Sequence, residues 1–311
     1  MEGIRDAHRF FSWPKGGKLD FPSFLTTIAI IATAAVDLGN LPLYFAGKNA
    51  GVNMNYPSME VLEQALGRNY LFTLILVPFV ITILFVFFAI KYVHCSSVKD
   101  FFTARKAFDW SRFLFGLIVT ASIMTLGFAI DSYANDEVIW NYKADQFWML
   151  LLIAVVLVPI QTTCEELIFR SYLFKAFSWL KFPLITILFC STAFGLIHMG
   201  NPEVDALGKQ VLIFYIWSGL FLGVIAYLDG GLELSMAFHA INNIVAAVLI
   251  TNDWQAFQTD ALFINMAEPQ MGLDVWLTMF LWQPIIILIF KWKIKWNFKD
   301  LFWKSADTKE I

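Results

Sequence analysis

The stretch from Thr163 to Arg170 (TCEELIFR) sets two adjacent carboxylates and a guanidinium between two apolar runs, Phe147 to Ile160 and Leu167 to Leu180. Each ionisable group at the centre of a spanning helix costs roughly 2.5–3.5 kcal/mol on insertion scales, so three of them need partners, a polar cavity or a function. Arg170 follows Glu166 by four residues, which puts both on one helix face as a candidate ion pair. Glu165 points about 100° away and lacks that partner. Two further pairs repeat the spacing on apolar segments: Phe194 with His198, and His239 with Asn243. Singly, each is ordinary. A histidine in an apolar helix is usually a satisfied structural residue, an asparagine is usually interhelical glue, and a Glu–Arg pair can be purely structural. Together, an unpaired Glu, two His and an Asn on three helices are too costly to scatter without purpose.

Such a set can hydrolyse a peptide bond with activated water. A carboxylate takes a proton from water as general base. An imidazole holds that water and passes a proton to the leaving amine. A second imidazole and an amide N–H donate to the oxyanion of the tetrahedral intermediate, where losing one donor typically costs roughly 10²–10³ in rate. No serine or cysteine nucleophile is required.

The elements that must position these groups are membrane helices. Of 311 residues, 59% are hydrophobic and only 15% charged, against about 45–50% and 25% in soluble chains. A span needs about 20 mostly apolar residues, and on that measure spans are expected near 24–45, 70–91, 113–131, 147–170, 183–199, 210–228, 232–251 and 273–290. The fold class is therefore all-α and polytopic, with about eight transmembrane helices and the site among the fourth, fifth and seventh. The fourth is free to run on to Leu180, since Phe182-Pro183 is the first clear stop. The first span reads as an uncleaved anchor rather than a signal peptide. Asp37 and Asn40 within it read as a helix loosened ahead of Pro42.

Lysine and arginine set the orientation. With the N-terminus inside, eighteen of them fall in inside segments and four in outside ones. Residues 1–23 are then a cytoplasmic basic arm, 24–290 the transmembrane domain with its protease-like core at 147–250, and 291–311 a cytoplasmic basic tail whose Lys/Trp alternation suits the interface. The loop 252–272 carries Trp254, Phe257, Ala261 and Ile264 at helical spacing; an amphipathic helix in the outer interface and an ordinary loop both fit. The three cysteines fit neither a disulfide framework nor a zinc knuckle, and Cys164 and Cys190 read as reduced and structural. Nothing points to nucleic acid.

The ordered set Glu165-Glu166-x-x-x-Arg170, Phe194-x-x-x-His198 and His239-x-x-x-Asn243 resembles the three motifs of the CAAX protease and bacteriocin-processing family, intramembrane glutamate proteases that include the Ras-converting CAAX endopeptidases. The resemblance spans roughly residues 147–250. It implies an endopeptidase without cofactor or metal, in which Glu165 activates water and His198 partners it. His239 and Asn243 would form the oxyanion hole, and Glu166, Arg170 and Phe194 would support the site. The implied partners are membrane lipid and a peptide or lipidated protein substrate. The absence of a targeting signal beyond the first span suits a bacterial inner membrane, and the charge bias puts both termini in the cytoplasm. Other readings stay open. Glu165, His198 and His239 match the three protein ligands of a catalytic zinc; Cys164 is a potential thiol nucleophile; and a transporter or bacteriocin-immunity protein would use the polar set for binding. One tension is geometric: a short fourth span leaves Glu165 near the cytoplasmic side and His198 near the outer end of the fifth.

Overall fold

The computed structural model describes residues 2–55, 57–134 and 136–302. Residues 303–311, the end of the expected basic tail, lie outside them. Among the described residues, a helix α1 (Glu2–Phe11) precedes eight long helices, with shorter ones such as Met59–Leu66 and Pro202–Leu207 in the connections. The eight long ones are α2 (Phe21–Asn49), α3 (Arg68–Val93), α4 (Trp110–Tyr133), α5 (Ala144–Ala176), α6 (Pro183–Gly200) and α7 (Val211–Asp229), then α8 (Glu233–Val248) and α9 (Leu273–Ile294). Among the described residues, α2 to α7 and α9 are the seven helices long and apolar enough to cross a membrane. The expected span at 232–251 is a 16-residue helix instead; α8 is shorter than a bilayer core requires and is packed within the bundle, with Leu234, Ala237 and Ala240 buried.

The fourth span runs 33 residues without a break, passing through a π-helical segment at Leu167–Tyr172 directly after the two glutamates. That length resolves the depth problem. At 1.5 Å per residue, α5 continues about 16 Å beyond Glu165 and α6 climbs back about 22 Å to His198, so a tilt brings them level. Small residues let α6 and α7 close up, as lipid-phase packing requires. A Cβ on Gly195 would stand 3.0 Å from the backbone nitrogen of Ile216, and one on Gly219 3.0 Å from Cα of Ser191.

Asn40 donates to the carbonyls of Ala35 and Val36 where α2 loosens into a π-helical stretch at Thr33–Leu38, as expected ahead of Pro42. The loop after α8 forms no helix. Its β2 (Ile250–Thr251) and β3 (Phe263–Asn265) join β1 (Val138–Trp140), from the connection between α4 and α5, in a three-stranded sheet of order β1-β3-β2, with β1/β3 antiparallel and β2/β3 parallel. The amphipathic-helix alternative for 252–272 is thereby corrected, and the all-α class gains a small extramembrane sheet. Local side-chain bonds outcompete the helix: Asn252 Oδ1 accepts from the backbone of Trp254 and Gln255, and Thr251 Oγ1 accepts from the backbone of Thr259.

The N-terminal segment is anchored to the bundle. Phe10 and Phe11 are fully buried, and the buried Lys175 donates to the Phe10 carbonyl while lying 4.1 Å from the centroid of its ring. Past α1, His94 at the end of α3 ties the chain down. Its Nδ1 donates to the Lys18 carbonyl at 2.8 Å, and its Nε2 accepts from Thr27 at 2.8 Å and Tyr172 at 3.1 Å. Burial holds this imidazole's pKa below the ordinary histidine value. A group depressed on folding stabilises the fold above its unfolded pKa and loses that contribution as pH falls. Thermal unfolding in detergent should therefore show stability lost as pH drops below about 6.5. His94→Ala should weaken that pH dependence, which the half-buried His8 shares, and lower stability by about 1–3 kcal/mol for stranding buried partners; an unchanged pH slope in the variant would refute the assignment.

Candidate active site

A cavity of about 350 Å³ opens between α3, α5, α6, α7 and α8. Glu165, Phe194, His198, His239 and Asn243 all line it, so three helices separate in sequence bring their motif residues to one place. Glu166 and Arg170 lie behind them, 0% and 1% exposed.

The foundation is electrostatic. Arg170 Nη1 stands 3.3 Å from Glu166 Oε1, the pairing the i,i+4 spacing predicts, preserved through the π turn. The guanidinium also sits 3.9 Å from the centre of the Phe194 ring, a cation–π contact of the kind worth about 2 kcal/mol or more when desolvated. That ring touches two further site residues: its centroid is 4.7 Å from the His198 imidazole and 6.1 Å from that of His239. The Phe194 of the second motif thus separates a buried cation from the two histidines.

Glu166 is shared. Besides Arg170, its Oε1 lies 2.9 Å from His239 Nδ1, which fixes the imidazole orientation as carboxylates do in many hydrolases. The other ring nitrogen, Nε2, then points at Glu165 Oε2, 3.4 Å away. Sequence spacing finds the Glu166–Arg170 contact but not this bridge between the two glutamates through His239. Glu165 Oε2 has no hydrogen-bond partner in the protein.

His198 donates Nδ1–H to the Phe194 carbonyl at 2.7 Å. That carbonyl can only accept, so the neutral ring keeps its Nε2 lone pair available to the cavity. Its plane stacks on Tyr215 at 4.2 Å and 19°. Tyr215 in turn accepts from Asn201 at 3.2 Å and donates to Glu203 Oε1 at 2.9 Å. Asn243 donates to Gln161 Oε1 at 3.1 Å and its own Oδ1 accepts from Asn242 at 3.0 Å. Of these supports, Gln161 was within reach of sequence reasoning, being one turn before Glu165 on the same helix face. Tyr215 carries no spacing signal, because it meets His198, and through its hydroxyl Asn201 and Glu203, across helices.

The rest of the wall is apolar, with Ile75, Phe79, Phe214, Leu222 and Phe238 facing the polar set. A mostly apolar pocket with a few convergent polar groups is the usual form of a ligand site. Gln255, Ala256 and Phe257 reach it from the loop after α8, and Phe257 is seated against Phe72 of α3 at 5.1 Å. Cys164 is not part of the lining. It packs in a core cluster with Leu167 and Tyr172, so the thiol reading has no geometry. Among the described residues, no three His, Cys, Asp or Glu side chains group as metal ligands.

The chain is similar to known proteins at the level of sequence. The sequence model of the type II CAAX prenyl endopeptidase Rce1-like family matches residues 144–245, from the first residue of α5 into α8. An uncharacterised protein of Bacillus subtilis (strain 168), YyaK, is 32% identical over 217 residues, covering 61% of this chain and 70% of its own. No solved structure matches the chain.

Removing one partner of a buried pair leaves an uncompensated charge, which costs about 3–5 kcal/mol. Arg170→Ala should lower the detergent unfolding midpoint accordingly, and the double variant Glu166→Gln/Arg170→Ala should recover part of the loss. A double variant no more stable than Arg170→Ala would show that the pair is not the source of the effect.

Proposed function

This chain belongs to the CAAX protease and bacteriocin-processing family, in its Rce1-like branch, and we propose that it is an intramembrane endopeptidase working through a glutamate-activated water. The chain is an integral membrane protein of a family of CAAX-type proteases. The observation that carries the finer reading is the convergence of Glu165, His198, His239 and Asn243 on one cavity.

In this reading a water held between Glu165 and the Nε2 of His198 attacks the carbonyl carbon of the scissile amide, and Glu165 takes the water proton. The oxyanion is met by Asn243, whose amide Gln161 positions, and by His239. Because Nδ1 of His239 is committed to Glu166, the ring serves as an oxyanion donor through Nε2–H when it carries both protons. The C–N bond then breaks, and the amine departs with the proton relayed by His198, leaving a carboxylate and a free amine. Phe194 and Arg170 hold the Glu166 support in place. The substrate is a membrane-associated peptide or lipidated protein, and the apolar wall suits a large aliphatic or aromatic side chain beside the scissile bond. The excess of Lys and Arg at one membrane face supports both termini cytoplasmic, residues 1–23 and 291–311 lying on that side, with α8 completing the even number of crossings by carrying the chain from the Asp229 end of the bundle to the β1 end; the Bacillus relative suits a bacterial cell membrane.

The test uses purified protein in detergent with a quenched prenylated CAAX peptide, with and without a strong zinc chelator. Cleavage should survive the chelator and vanish in Glu165→Gln. Loss to the chelator with rescue by zinc would give the site to a metal instead. His198→Ala and His239→Ala should each abolish turnover without loss of insertion, and Asn243→Ala should retain activity lower by roughly 10²–10³. Activity lost in Glu166→Gln but kept in Glu165→Gln would exchange the roles of the two glutamates.

A further inference from the structure

Of the site residues, His198 has the weakest hold from its own helix. The regular part of α6 ends at Ile197, and His198 opens a tighter turn that closes at Gly200. What α6 supplies to the ring is the hydrogen bond from Nδ1–H to the Phe194 carbonyl and an angled contact from the Phe194 ring. A tether at one ring atom fixes that atom and leaves the plane free to turn, which would swing Nε2 away from a bound water. A displacement of about 1 Å at such a group costs roughly 10²-fold in rate.

Tyr215 supplies the missing restraint. Its ring lies nearly parallel to the imidazole, 4.2 Å from it at 19°, so the plane cannot turn without opening the stack. The tyrosine is held at its other end by the segment that follows the histidine. Its hydroxyl accepts from Asn201 at 3.2 Å and donates to Glu203 Oε1 at 2.9 Å. Asn201 in turn donates its backbone N–H to the His198 carbonyl at 3.0 Å. The contacts therefore form a closed circuit that starts at the His198 ring and returns to the His198 backbone. Two features keep the circuit shut. The short helix Pro202–Leu207 is seated on the start of α7 by Val204 against Val211 and Leu212, with Tyr215 packed on the same cluster. Gly195 lets α7 approach at the next residue, Ile216, whose backbone nitrogen would stand 3.0 Å from a Cβ there. Phenylalanine at 215 would keep the stack but leave the Asn201 amide and the Glu203 carboxylate without their shared partner.

We propose that Tyr215 is a positioning residue: with Asn201 and Glu203 it clamps the His198 ring so that Nε2 faces the water and the leaving amine. This rests on the endopeptidase reading and adds the residues that make His198 competent in it.

The experiment reads full-length protein in detergent two ways, for wild type, Tyr215→Leu, Tyr215→Phe and the double variant Asn201→Ala/Glu203→Ala. One is steady-state cleavage of the quenched prenylated CAAX peptide. The other is nitrogen NMR of histidine-labelled protein at alkaline pH, which reports the tautomer of each of the four imidazoles, with the His198 signal assigned by its loss in His198→Ala. Tyr215→Leu should lower kcat and kcat/KM together by about 10²-fold with KM little changed, the pattern of a misplaced catalytic group. Tyr215→Phe, which keeps the flat ring, should fall only several-fold, and the double variant should be intermediate. His198 should be the Nδ1–H form in wild type and a mixture of tautomers in Tyr215→Leu. Wild-type kcat in Tyr215→Leu, an unchanged His198 tautomer there, or equal losses in the Leu and Phe variants that follow a lowered unfolding midpoint would overturn the clamp and leave Tyr215 a packing residue. No cleavage by wild type would count against the endopeptidase reading, and the tautomer comparison would still decide whether Tyr215 sets the ring.

Discussion

The buried ion pair between Glu166 and Arg170 is the constraint on which the site depends. A guanidinium and a carboxylate at 1% and 0% exposure are tolerable only as a closed set, because the desolvation of each is offset only by the others. The Phe194 ring covers the cation at 3.9 Å, and His239 shares the carboxylate at 2.9 Å. One residue of each motif is thereby needed to complete the environment of the first. The three motifs are parts of a single buried electrostatic unit, and the cavity forms on its open side.

Holding that unit together requires helices that arrive at matching heights. α5 carries Glu165 partway along 33 residues, then loosens into a π turn that keeps Arg170 within reach of Glu166. π turns are local expansions often found at functional sites. The close approach of α6 to α7 at Gly195 and Gly219 sets the Tyr215 ring flat against His198. Behind the site, His94 hydrogen-bonds Tyr172 and Lys175 holds Phe10, so the N-terminal segment braces the far side of α5.

Much of this could be read from spacing, for a physical reason. Residues four apart on a helix project together whatever the tertiary fold, so Glu166–Arg170, Phe194–His198 and His239–Asn243 were visible as pairs before any coordinates. Apolar length marked the spans for the same reason; α8, at sixteen residues, falls below span length yet still carries the chain from the Asp229 end of the bundle to the β1 end. Contacts across helices have no such local signature. The His239 bridge between two glutamates, the Tyr215 stack and the Asn243–Gln161 bond depend on packing that one sequence does not encode by periodicity. The loop after α8 stays open between two readings in the sequence for a related reason. Its aromatic spacing fits a helix, yet Asn252 and Thr251 offer the backbone closer partners, and its β3 pairs with β1 and β2 instead.

That loop matters to how the site can be reached. Its Gln255 amide donates to the carbonyl of Phe257 at 2.8 Å, and Thr259 donates to the carbonyl of Ala247 at 2.6 Å, so the turn is fastened to the end of the helix that carries His239 and Asn243. Phe257 is seated on α3 by Phe72. The wall the loop contributes is therefore rigidly coupled to α3 and α8 rather than hung as a free flap. In the proposed reading the same rigidity serves the chemistry, because oxyanion donors stabilise a transition state only when held in place before charge develops.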